Sequence, residues 1–397
     1  MPVCQPRRLK TTIVVGTRPD FMKAAPIIER MRRFDDFIDP VLVHTGQHYD
    51  SNLSALLFDE LRLKQPDIYL GVGSGTHAEQ TAGILVEFEK TLAENVPHLL
   101  IVIGNTNSAV AAAMVAAKSK ILVAHVESGL RSFDTAQPEE INRLIIDKIT
   151  DYHFVTESSG CQNLANEGVD EKCVFFVGNV LIDTLRNLQK IAATRKLPEN
   201  LDMRRGKYGL LTLHKPENVD NLKALKNILV GVHGVAQKIP VIFPCHPRTR
   251  INIDKFNLSS YFGENGIRLV EPIGALDFLK LESKAALVFT DSGGIQEETT
   301  ILGIPCLTLR HSTDRQVTLR EGTNILVGPY AERIAATAEN ILNGAIKTGS
   351  VPKYWDGNAA ERIVEVVMNI RKSLFEPESV KEGTAKLKTI REALPTD

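Results

Sequence analysis

The chain has 397 residues, of which 43% are hydrophobic and 24% are charged, and its formal net charge at pH 7 is −1. This length predicts two domains rather than one core, and the near-neutral charge gives no overall field that would attract nucleic acid or an anionic membrane. No apolar run approaches the roughly 20 residues needed to span a bilayer, and the apolar run 11–15 is too short for a signal peptide. We therefore expect a cytoplasmic protein with no nucleic-acid or membrane partner.

The cysteines are scattered, and their number is odd. They show none of the spacings typical of metal ligands, so we expect reduced thiols and no metal site. The five residues are Cys4, Cys161, Cys173, Cys245 and Cys306.

Short β-branched apolar runs alternate with amphipathic segments of helix length, which predicts parallel sheets covered by helices on both faces. The strands predicted in the first half are residues 11–15, 40–44, 98–103, 121–126, 153–155 and 173–177. The helices predicted between them include residues 21–32, 76–92, 109–117 and 138–149.

A polar stretch at residues 192–206 is predicted to be a connection, because it contains Pro198 and other turn-forming residues. The alternation then restarts. The strands predicted after it are residues 208–213, 241–243, 267–270, 287–290, 306–309 and 324–327. We infer an α/β fold of two Rossmann-like domains facing each other across a cleft, with ligands at the carboxyl ends of the strands.

The strand predicted at residues 287–290 is followed by Asp-Ser-Gly-Gly and the start of a helix. Free N–H groups and the helix dipole at Ser292, Gly293 and Gly294 would suit a phosphate, and glycine lets a ligand approach the backbone closely. Glu298, one turn further on, is placed to accept hydrogen bonds from a ribose diol. A turn capped by Ser292 is an equally good interpretation of this stretch alone.

Five further motifs accompany this block in the chain. They are VVGTRPD at 14–20, HTGQHYD at 44–50, AHVESGLRS at 124–132, PEEINR at 138–143 and LHKPEN at 213–218. In order and spacing, the six motifs resemble those of the non-hydrolysing UDP-N-acetylglucosamine 2-epimerases, over residues 11–328. The resemblance implies a glycosyltransferase-B-like fold, with an acid–base domain at 1–185, a UDP-binding domain at 186–358, and a helix at about 359–397 that packs back on the first domain. It also implies a homodimer.

The reaction implied by the resemblance interconverts UDP-GlcNAc and UDP-ManNAc, in the supply of nucleotide sugars for polysaccharide biosynthesis. UDP is eliminated and then added back, with 2-acetamidoglucal as the intermediate. This route needs no hydride acceptor, so we expect no cofactor. Two alternatives remain open: a hydrolysing epimerase that releases ManNAc and UDP, and a non-catalytic protein that binds UDP-sugars. A glycosyltransferase is less favoured because the acid-rich first domain is specific to the epimerases.

Removing the C2 proton and expelling UDP requires a base and groups that stabilise the departing diphosphate. The resemblance makes Glu127, Glu139 and His214 the candidate catalytic residues, with His214 orienting the leaving phosphate or donating a proton to it. On residues alone, Glu139 would be an ordinary acid at a helix start. Carboxylates at the ends of buried strands have raised pKa values when they are desolvated, which makes them useful acid–base groups.

Several cations are candidates for binding the substrate, because guanidinium groups neutralise phosphate oxygens. By resemblance Arg18 reaches the phosphates or the sugar, whereas Arg131 and Arg143 hold the catalytic acids in place. Each also suits a structural ion pair. The predicted substrate-binding set is Arg18, Lys23, Arg131, Arg143, His246, Arg248, Ser292, Gly293, Gly294 and Glu298. Gln47 and His48 are candidate contacts of a second, activating UDP-GlcNAc.

The sequence departs from the family at Asn105, where the family has a catalytic aspartate. Asparagine is nearly isosteric with aspartate but cannot take up a proton or carry the charge. Three explanations remain: an engineered substitution, a natural variant that uses Glu127 or Glu139 instead, or a binding-only relative. Milder departures at Asp20 and at residues 314–316 leave a modified UDP-HexNAc, such as a diacetamido uronic derivative, as an alternative substrate.

Overall fold

The computed structural model describes residues 7–47, 65–195, 207–263 and 266–376. The chain forms two compact units. Unit 1 comprises the described residues of Met1–Thr184 and Lys353–Asp397, and unit 2 comprises those of Leu185–Pro352.

Unit 1 contains a parallel sheet of seven strands among its described residues. The strands are β1 (Leu9–Val15), β2 (Ile38–His44), β3 (Ile68–Tyr69), β4 (Leu99–Ile103), β5 (Leu122–Val126), β6 (Tyr152–Val155) and β7 (Val174–Phe176). Their order across the sheet is β3-β2-β1-β4-β5-β6-β7. The strand order therefore reverses between β1 and β4, whose registers align Ile13 with Ile101.

Helices follow most of these strands, as the alternating sequence predicts. They are α1 (Arg18–Met31), α2 (His77–Glu94), α3 (Asn107–Lys118), α4 (Pro138–Lys148), α5 (Ser158–Asn166) and α6 (Val180–Thr194). The boundary between the two units falls inside α6. Short 3-10 turns occur at Arg32–Phe34, Glu171–Cys173 and, in unit 2, Ser259–Tyr261.

Successive residues of a strand point to opposite faces of the sheet, and in this sheet both sets of residues are apolar. Ile101 and Ile103 of β4 pack on one face, in a cluster with α1 residues. Leu100 and Val102 pack on the other face with residues of α2 and α3. Burial on both faces explains why these strands are continuous apolar runs rather than alternating ones.

Unit 2 contains a second parallel sheet, with six strands among its described residues. The strands are β8 (Gly209–Thr212), β9 (Val241–Pro244), β10 (Ile267–Val270), β11 (Leu287–Thr290), β12 (Cys306–Thr308) and β13 (Asn324–Leu326). Their order is β10-β9-β8-β11-β12-β13, so this sheet reverses between β8 and β11.

The helices of unit 2 again cover both faces of the sheet. They are α7 (Pro216–Val219), α8 (Leu222–Ala236), α9 (Pro247–Lys255), α10 (Ala275–Glu282), α11 (Gly293–Leu302), α12 (Gln316–Arg320) and α13 (Ala331–Leu342). Leu211 and Phe289 belong to the cluster on one face, and Leu210 and Val288 to the cluster on the other.

The last described helix, α14 (Ala359–Phe375), belongs to unit 1. Its residues Ile363 and Val367 lie in the same core cluster as α1. Its first turn is held by Asp183, whose carboxylate accepts hydrogen bonds from the N–H groups of Ala359 (3.2 Å) and Ala360 (2.9 Å). This carboxylate satisfies donors that no helix can satisfy internally.

The predicted fold class, an α/β protein with two Rossmann-like parallel sheets, is confirmed. Each predicted strand is present within about three residues at either end. Among the described residues, the one strand that the sequence did not indicate is the two-residue β3. In each sheet the strand order reverses at one place, and ligands of open α/β sheets bind outside the carboxyl ends of the strands there. Within the described part of the chain, no helix is both long and apolar enough to cross a membrane.

Candidate active site

The turn after β1 is shaped by a capping box at the start of α1. Asp20 Oδ2 accepts hydrogen bonds from the N–H groups of Gly16 (3.0 Å) and Thr17 (2.9 Å). Burial raises the pKa of Asp20, and the nearby Lys23 charge and these hydrogen bonds offset part of that rise. Asp20 is thus a structural residue of this turn. It leaves Arg18, the first residue of α1, exposed at the end of the strand.

Lys23 and Glu127 form a buried ion pair. Lys23 Nζ lies 2.5 Å from Glu127 Oε1, and the two side chains are only 8% and 1% exposed. Glu127 directly follows β5 and has a left-handed backbone (φ 73°), which is uncommon for a residue other than glycine. Gly104, at the end of the neighbouring β4, is close to it, since a Cβ atom there would lie 3.4 Å from Glu127 Oε2. The structure therefore brings together two of the predicted residues in a buried ion pair.

Asn105 is half-buried in the turn between β4 and α3. Thr106 caps α3 by accepting a hydrogen bond from Ala109 N (3.2 Å). Asn142 of α4 donates from Nδ2 to the Asn105 carbonyl oxygen (3.0 Å) and also to Asn107 Oδ1 (3.2 Å). The backbone of Asn105 is therefore fixed from α4, and its side chain is not needed to hold the turn.

Glu139 and Glu140 open α4 but lie in different environments. Glu139 is half-buried, whereas Glu140 is 3% exposed. The Glu140 carboxylate accepts hydrogen bonds from the N–H groups of Ser132 (3.1 and 3.0 Å) and Phe133 (3.0 Å). Arg143 Nη1 also donates to it (3.0 Å). Arg143 therefore binds Glu140, which closes the loop after β5 onto the start of α4. Its predicted role in holding a catalytic acid stays a prediction.

Arg131, which the sequence suggested would hold a catalytic acid or bind substrate, pairs with two carboxylates in the structure. Its Nη1 lies 2.7 Å from Asp147 Oδ2, and its Nε and Nη2 donate to the two carboxylate oxygens of Glu167 (2.8 and 2.7 Å). Burial opposes the charged form of Arg131, and the two carboxylates more than compensate, so the pKa of this guanidinium is raised. Arg131 is bound to structural acids that sequence reasoning did not identify.

Asp147, on the buried side of α4, accepts hydrogen bonds from several elements. His125 Nδ1 (2.6 Å), Ser128 Oγ (2.5 Å) and Gly129 N (3.0 Å) all reach its carboxylate. Burial opposes its charge, but His125, Arg131 and Ser128 hold the pKa of this carboxyl well below its ordinary value. A signal was present in the sequence, because residues 140, 143 and 147 place three charged side chains on one helix face.

His125 connects this aspartate to the turn that carries Asn105. Its Nε2 lies 2.7 Å from the carbonyl oxygen of Gly104, and its Nδ1 lies 2.6 Å from Asp147 Oδ1. A carbonyl oxygen only accepts hydrogen bonds, so Nε2 carries a proton. The imidazole therefore fixes the position of Gly104, the residue next to Glu127 and Asn105.

The predicted effector residue Gln47 interacts within unit 1. Its Oε1 accepts hydrogen bonds from Ser108 Oγ (2.6 Å) and Ser108 N (3.3 Å) at the start of α3. Ser108 Oγ also lies 2.8 Å from Thr45 Oγ1. The other candidate effector residue, His48, lies outside the described residues.

In unit 2 the ends of β8 and β11 are joined through Asp291, which is fully buried. Its carboxylate accepts hydrogen bonds from the backbone N–H groups of His214 (3.2 Å to each oxygen) and Lys215 (3.0 Å), and from Asn218 Nδ2 (3.2 Å). The His214 ring is 45% exposed, with Nδ1 3.2 Å from Asp291 Oδ1. Asp291 thus orients His214 so that Nε2 remains available to a ligand. The sequence analysis did not assign it this role.

The Ser-Gly-Gly turn begins α11 as predicted. Ser292 occupies the N-cap position, but its side chain makes no capping hydrogen bond; its N–H donates to Thr290 Oγ1 (3.0 Å). Arg315 lies beside this turn, since a Cβ on Gly293 would be 3.6 Å from its Nε. Arg315 is 7% exposed and its Nε also lies 2.7 Å from Glu297 Oε1. A helix start with a guanidinium next to it is suited to an anion.

The remaining two predicted binding residues, His246 and Arg248, lie at the start of α9. His246 is the N-cap residue, and its Nδ1 accepts a hydrogen bond from Arg248 N (3.3 Å). The Arg248 guanidinium pairs with Asp220, with Nε 3.1 Å from Oδ1. The described structure therefore gives Arg248 a carboxylate partner on the surface of unit 2.

These observations define a class of protein: a glycosyltransferase-B-like α/β protein with a buried ion pair in unit 1 and, in unit 2, a helix start of the kind that suits an anion. The family model described as UDP-N-acetylglucosamine 2-epimerase matches residues 31–368. The chain belongs to this family of isomerases, which confirms the resemblance seen in the motifs.

Relatives match almost their full length. The UDP-N-acetylglucosamine 2-epimerase of Methanocaldococcus jannaschii is 43% identical over 366 residues, which cover 90% of this chain and 99% of the relative. The UDP-2,3-diacetamido-2,3-dideoxy-D-glucuronate 2-epimerase of Pseudomonas aeruginosa is 34% identical, with 91% of this chain and 100% of the relative covered. The crystal structure of the M. jannaschii enzyme in complex with UDP-GlcNAc and UDP superimposes with a TM-score of 0.83 at 42% identity, covering 90% of this chain and 99% of that one.

Proposed function

We propose that the protein is an epimerase that interconverts UDP-GlcNAc and UDP-ManNAc, or a closely related UDP-HexNAc pair. In the forward direction a base removes the proton from C2, and the bond between C1 and the diphosphate oxygen breaks. This gives 2-acetamidoglucal and UDP. UDP then adds back at C1 while C2 receives a proton on the opposite face, so the configuration at C2 is inverted. The observation that carries the proposal is the buried Lys23–Glu127 pair at the end of β5.

The residues of unit 1 are assigned the proton transfers. Glu127 can accept a proton because it is a carboxylate, and the Lys23 ammonium within 2.5 Å offsets the cost of burying that charge. Glu139, half-buried at the start of α4, is the second carboxyl, for the opposite face of C2. Arg18, exposed at the end of β1, is the cation available to the phosphates or the sugar.

The residues of unit 2 are assigned to UDP. Gly293 and Gly294 begin α11 next to Ser292, so their N–H groups lie at a helix start, where the helix dipole favours an anion. Glu298, one turn later, would accept hydrogen bonds from the ribose hydroxyls. His214 is held by Asp291 through Nδ1, which leaves Nε2 to contact the leaving phosphate.

Proton NMR of the purified protein with UDP-GlcNAc in D2O tests the reaction. UDP-ManNAc that carries deuterium at C2 is the expected product. Free ManNAc with UDP would instead indicate the hydrolysing reaction, and an unchanged spectrum with normal UDP binding would indicate a binding-only protein. Glu127→Gln is the matched variant, because it keeps the side-chain shape and removes the proton acceptor; it should bind UDP and exchange no deuterium.

A diacetamido uronic sugar is the second candidate substrate. Its support is the 34% identity to the P. aeruginosa enzyme named for such a substrate, together with the departures at residues 314–316. Comparing kcat/KM for UDP-GlcNAc and for UDP-2,3-diacetamido-2,3-dideoxy-D-glucuronate decides between them. The same assay with added UDP-GlcNAc tests activation through Gln47 and His48.

A homodimer is the proposed assembly. Ile141, Leu144 and Ile145 are 47%, 39% and 40% exposed, and their spacing places them on one face of α4. An apolar helix face of this kind would be covered by a second copy of the chain. Light scattering that gives the mass of one chain at micromolar concentration would contradict this assignment.

A further inference from the structure

Glu282, the last residue of α10, is fully buried and plays no part in the chemistry proposed above. Within the described part of the chain, neither of its carboxyl oxygens accepts a hydrogen bond from a donor group. The polar group that faces it is another carboxyl, that of Glu298 on α11. The thiol of Cys306 on β12 is also near, close enough to be affected by the charge of Glu282.

A buried carboxylate without a cation or a donor is too costly to persist in the charged form. Burial raises the pKa of Glu282 well above its ordinary value, and the neighbouring Glu298 raises it further. Burial also raises the pKa of the Cys306 thiol to about 12, so this neighbour stays neutral and supplies no charge. Two facing carboxyls in such a site hold one proton between them, and the fully buried member, Glu282, is the one that carries it.

We propose that neutral Glu282 is a positioning residue for nucleotide recognition: it donates its carboxyl proton to Glu298 and holds that carboxylate in the orientation that accepts the two ribose hydroxyls. This inference rests on the proposed assignment of Glu298 to the ribose. Glu298 is half-buried on α11, so the residue that faces Glu282 is also partly exposed to solvent. With a donor fixed behind it, Glu298 stays charged and in place.

The experiment compares the binding of UDP with that of 2′,3′-dideoxy-UDP by calorimetry, since the ratio of the two affinities isolates the ribose hydroxyls. The wild type should prefer UDP by about 10-fold or more, the usual effect of hydrogen bonds to a charged group. Glu298→Ala should bring the ratio near one. Glu282→Met, which keeps the volume and removes the donor, should lower the ratio by about 5–10-fold.

Glu282→Gln is the matched control, because its amide N–H still donates to Glu298. It should keep the UDP preference, and keep it from neutral to alkaline pH, whereas the wild-type preference should decline as Glu282 ionises. A merely structural glutamate would lower the thermal midpoint and weaken both ligands equally.

Two results would overturn the inference in distinguishable ways. If folded Glu282→Met keeps the wild-type ratio while Glu298→Ala loses it, Glu298 binds the ribose without help from Glu282. If the wild type itself binds the two nucleotides alike, the ribose assignment of Glu298 fails and the role of Glu282 fails with it. Deuterium incorporation at C2 then shows independently whether the epimerase proposal survives.

Discussion

Lys23 Nζ lies 2.5 Å from Glu127 Oε1, and both side chains are more than nine-tenths buried. The two residues are about a hundred positions apart in the chain: Lys23 lies on α1, and Glu127 directly follows β5. Removing one member of such a pair leaves an uncompensated buried charge, whereas removing both leaves none. The pair can therefore be tested for a catalytic role separately from its role in stability.

Lys23→Met should lower the free energy of unfolding by about 3–5 kcal/mol, the usual cost of breaking a buried ion pair, and should abolish epimerisation. The double variant Lys23→Met with Glu127→Gln should recover most of the stability and none of the activity. Urea unfolding and the D2O exchange assay measure the two effects. Activity that returned with stability would show that the pair serves only the fold.

Asn105→Asp should raise turnover by about 10²–10⁴-fold if this position supplies a base or a charge, the usual contribution of a general base. UDP affinity should hardly change, because the backbone of residue 105 is held by Asn142 through its carbonyl oxygen. Single-turnover rates and calorimetry are the measurements, with Asn105→Ala as the control. Equal turnover of the asparagine and aspartate forms would assign proton transfer to Glu127, Glu139 or His214 alone.

Asp291→Asn should act largely through His214. The amide keeps one acceptor oxygen for the backbone N–H groups but lacks the negative charge that holds Nδ1 of His214. We therefore expect kcat to fall by about 10²-fold, roughly the contribution of one acid–base group. If Asp291 works through the imidazole, the double variant with His214→Ala should be no slower than His214→Ala alone. Asp220→Asn, at the exposed Arg248 pair, is the matched surface control. Additive losses in the double variant would contradict the coupling.

Asp183 should give the stability of the protein a distinct pH dependence. Burial raises the pKa of Asp183 to about 6 from an ordinary 3.8, despite the hydrogen bonds from Ala360 and Ala359. The folded state thus holds this proton more tightly than the unfolded chain does, and the free energy of unfolding should decrease as pH rises from about 4 to about 6.

Asp183→Asn has no proton to lose and should lack this part of the slope. Urea unfolding of both forms across the same pH range isolates the effect, because His153, whose pKa burial lowers to about 4, contributes equally to each. If the difference in the free energy of unfolding between the two forms does not change with pH, the pKa of Asp183 is not raised in the folded state.

The sequence predicted the two sheets and the strand ends that carry the polar motifs, because buried parallel strands are apolar runs and their pattern is local. It could not predict which donor meets which acceptor. Glu140 accepts hydrogen bonds from the N–H groups of Ser132 and Phe133 because the segment after β5 closes over the start of α4, and no local pattern reveals that closure. Asp291 was passed over for a similar reason, since its partners lie more than 70 residues away. The strand β3 was not predicted because two residues are too few to show the alternation of apolar and polar side chains that indicates a strand.

Asp147 makes the tolerance of α4 to mutation uneven. Donors from β5, from the turn after it and from Arg131 all end on this one carboxylate. Asparagine would turn an amide group toward a donor, and glutamate would need room for a methylene at a site that is 1% exposed. Ile145, two positions away and 40% exposed, is under no such constraint within its own chain. Substitutions at residue 147 should therefore inactivate the protein by disrupting its fold far more often than substitutions at residue 145.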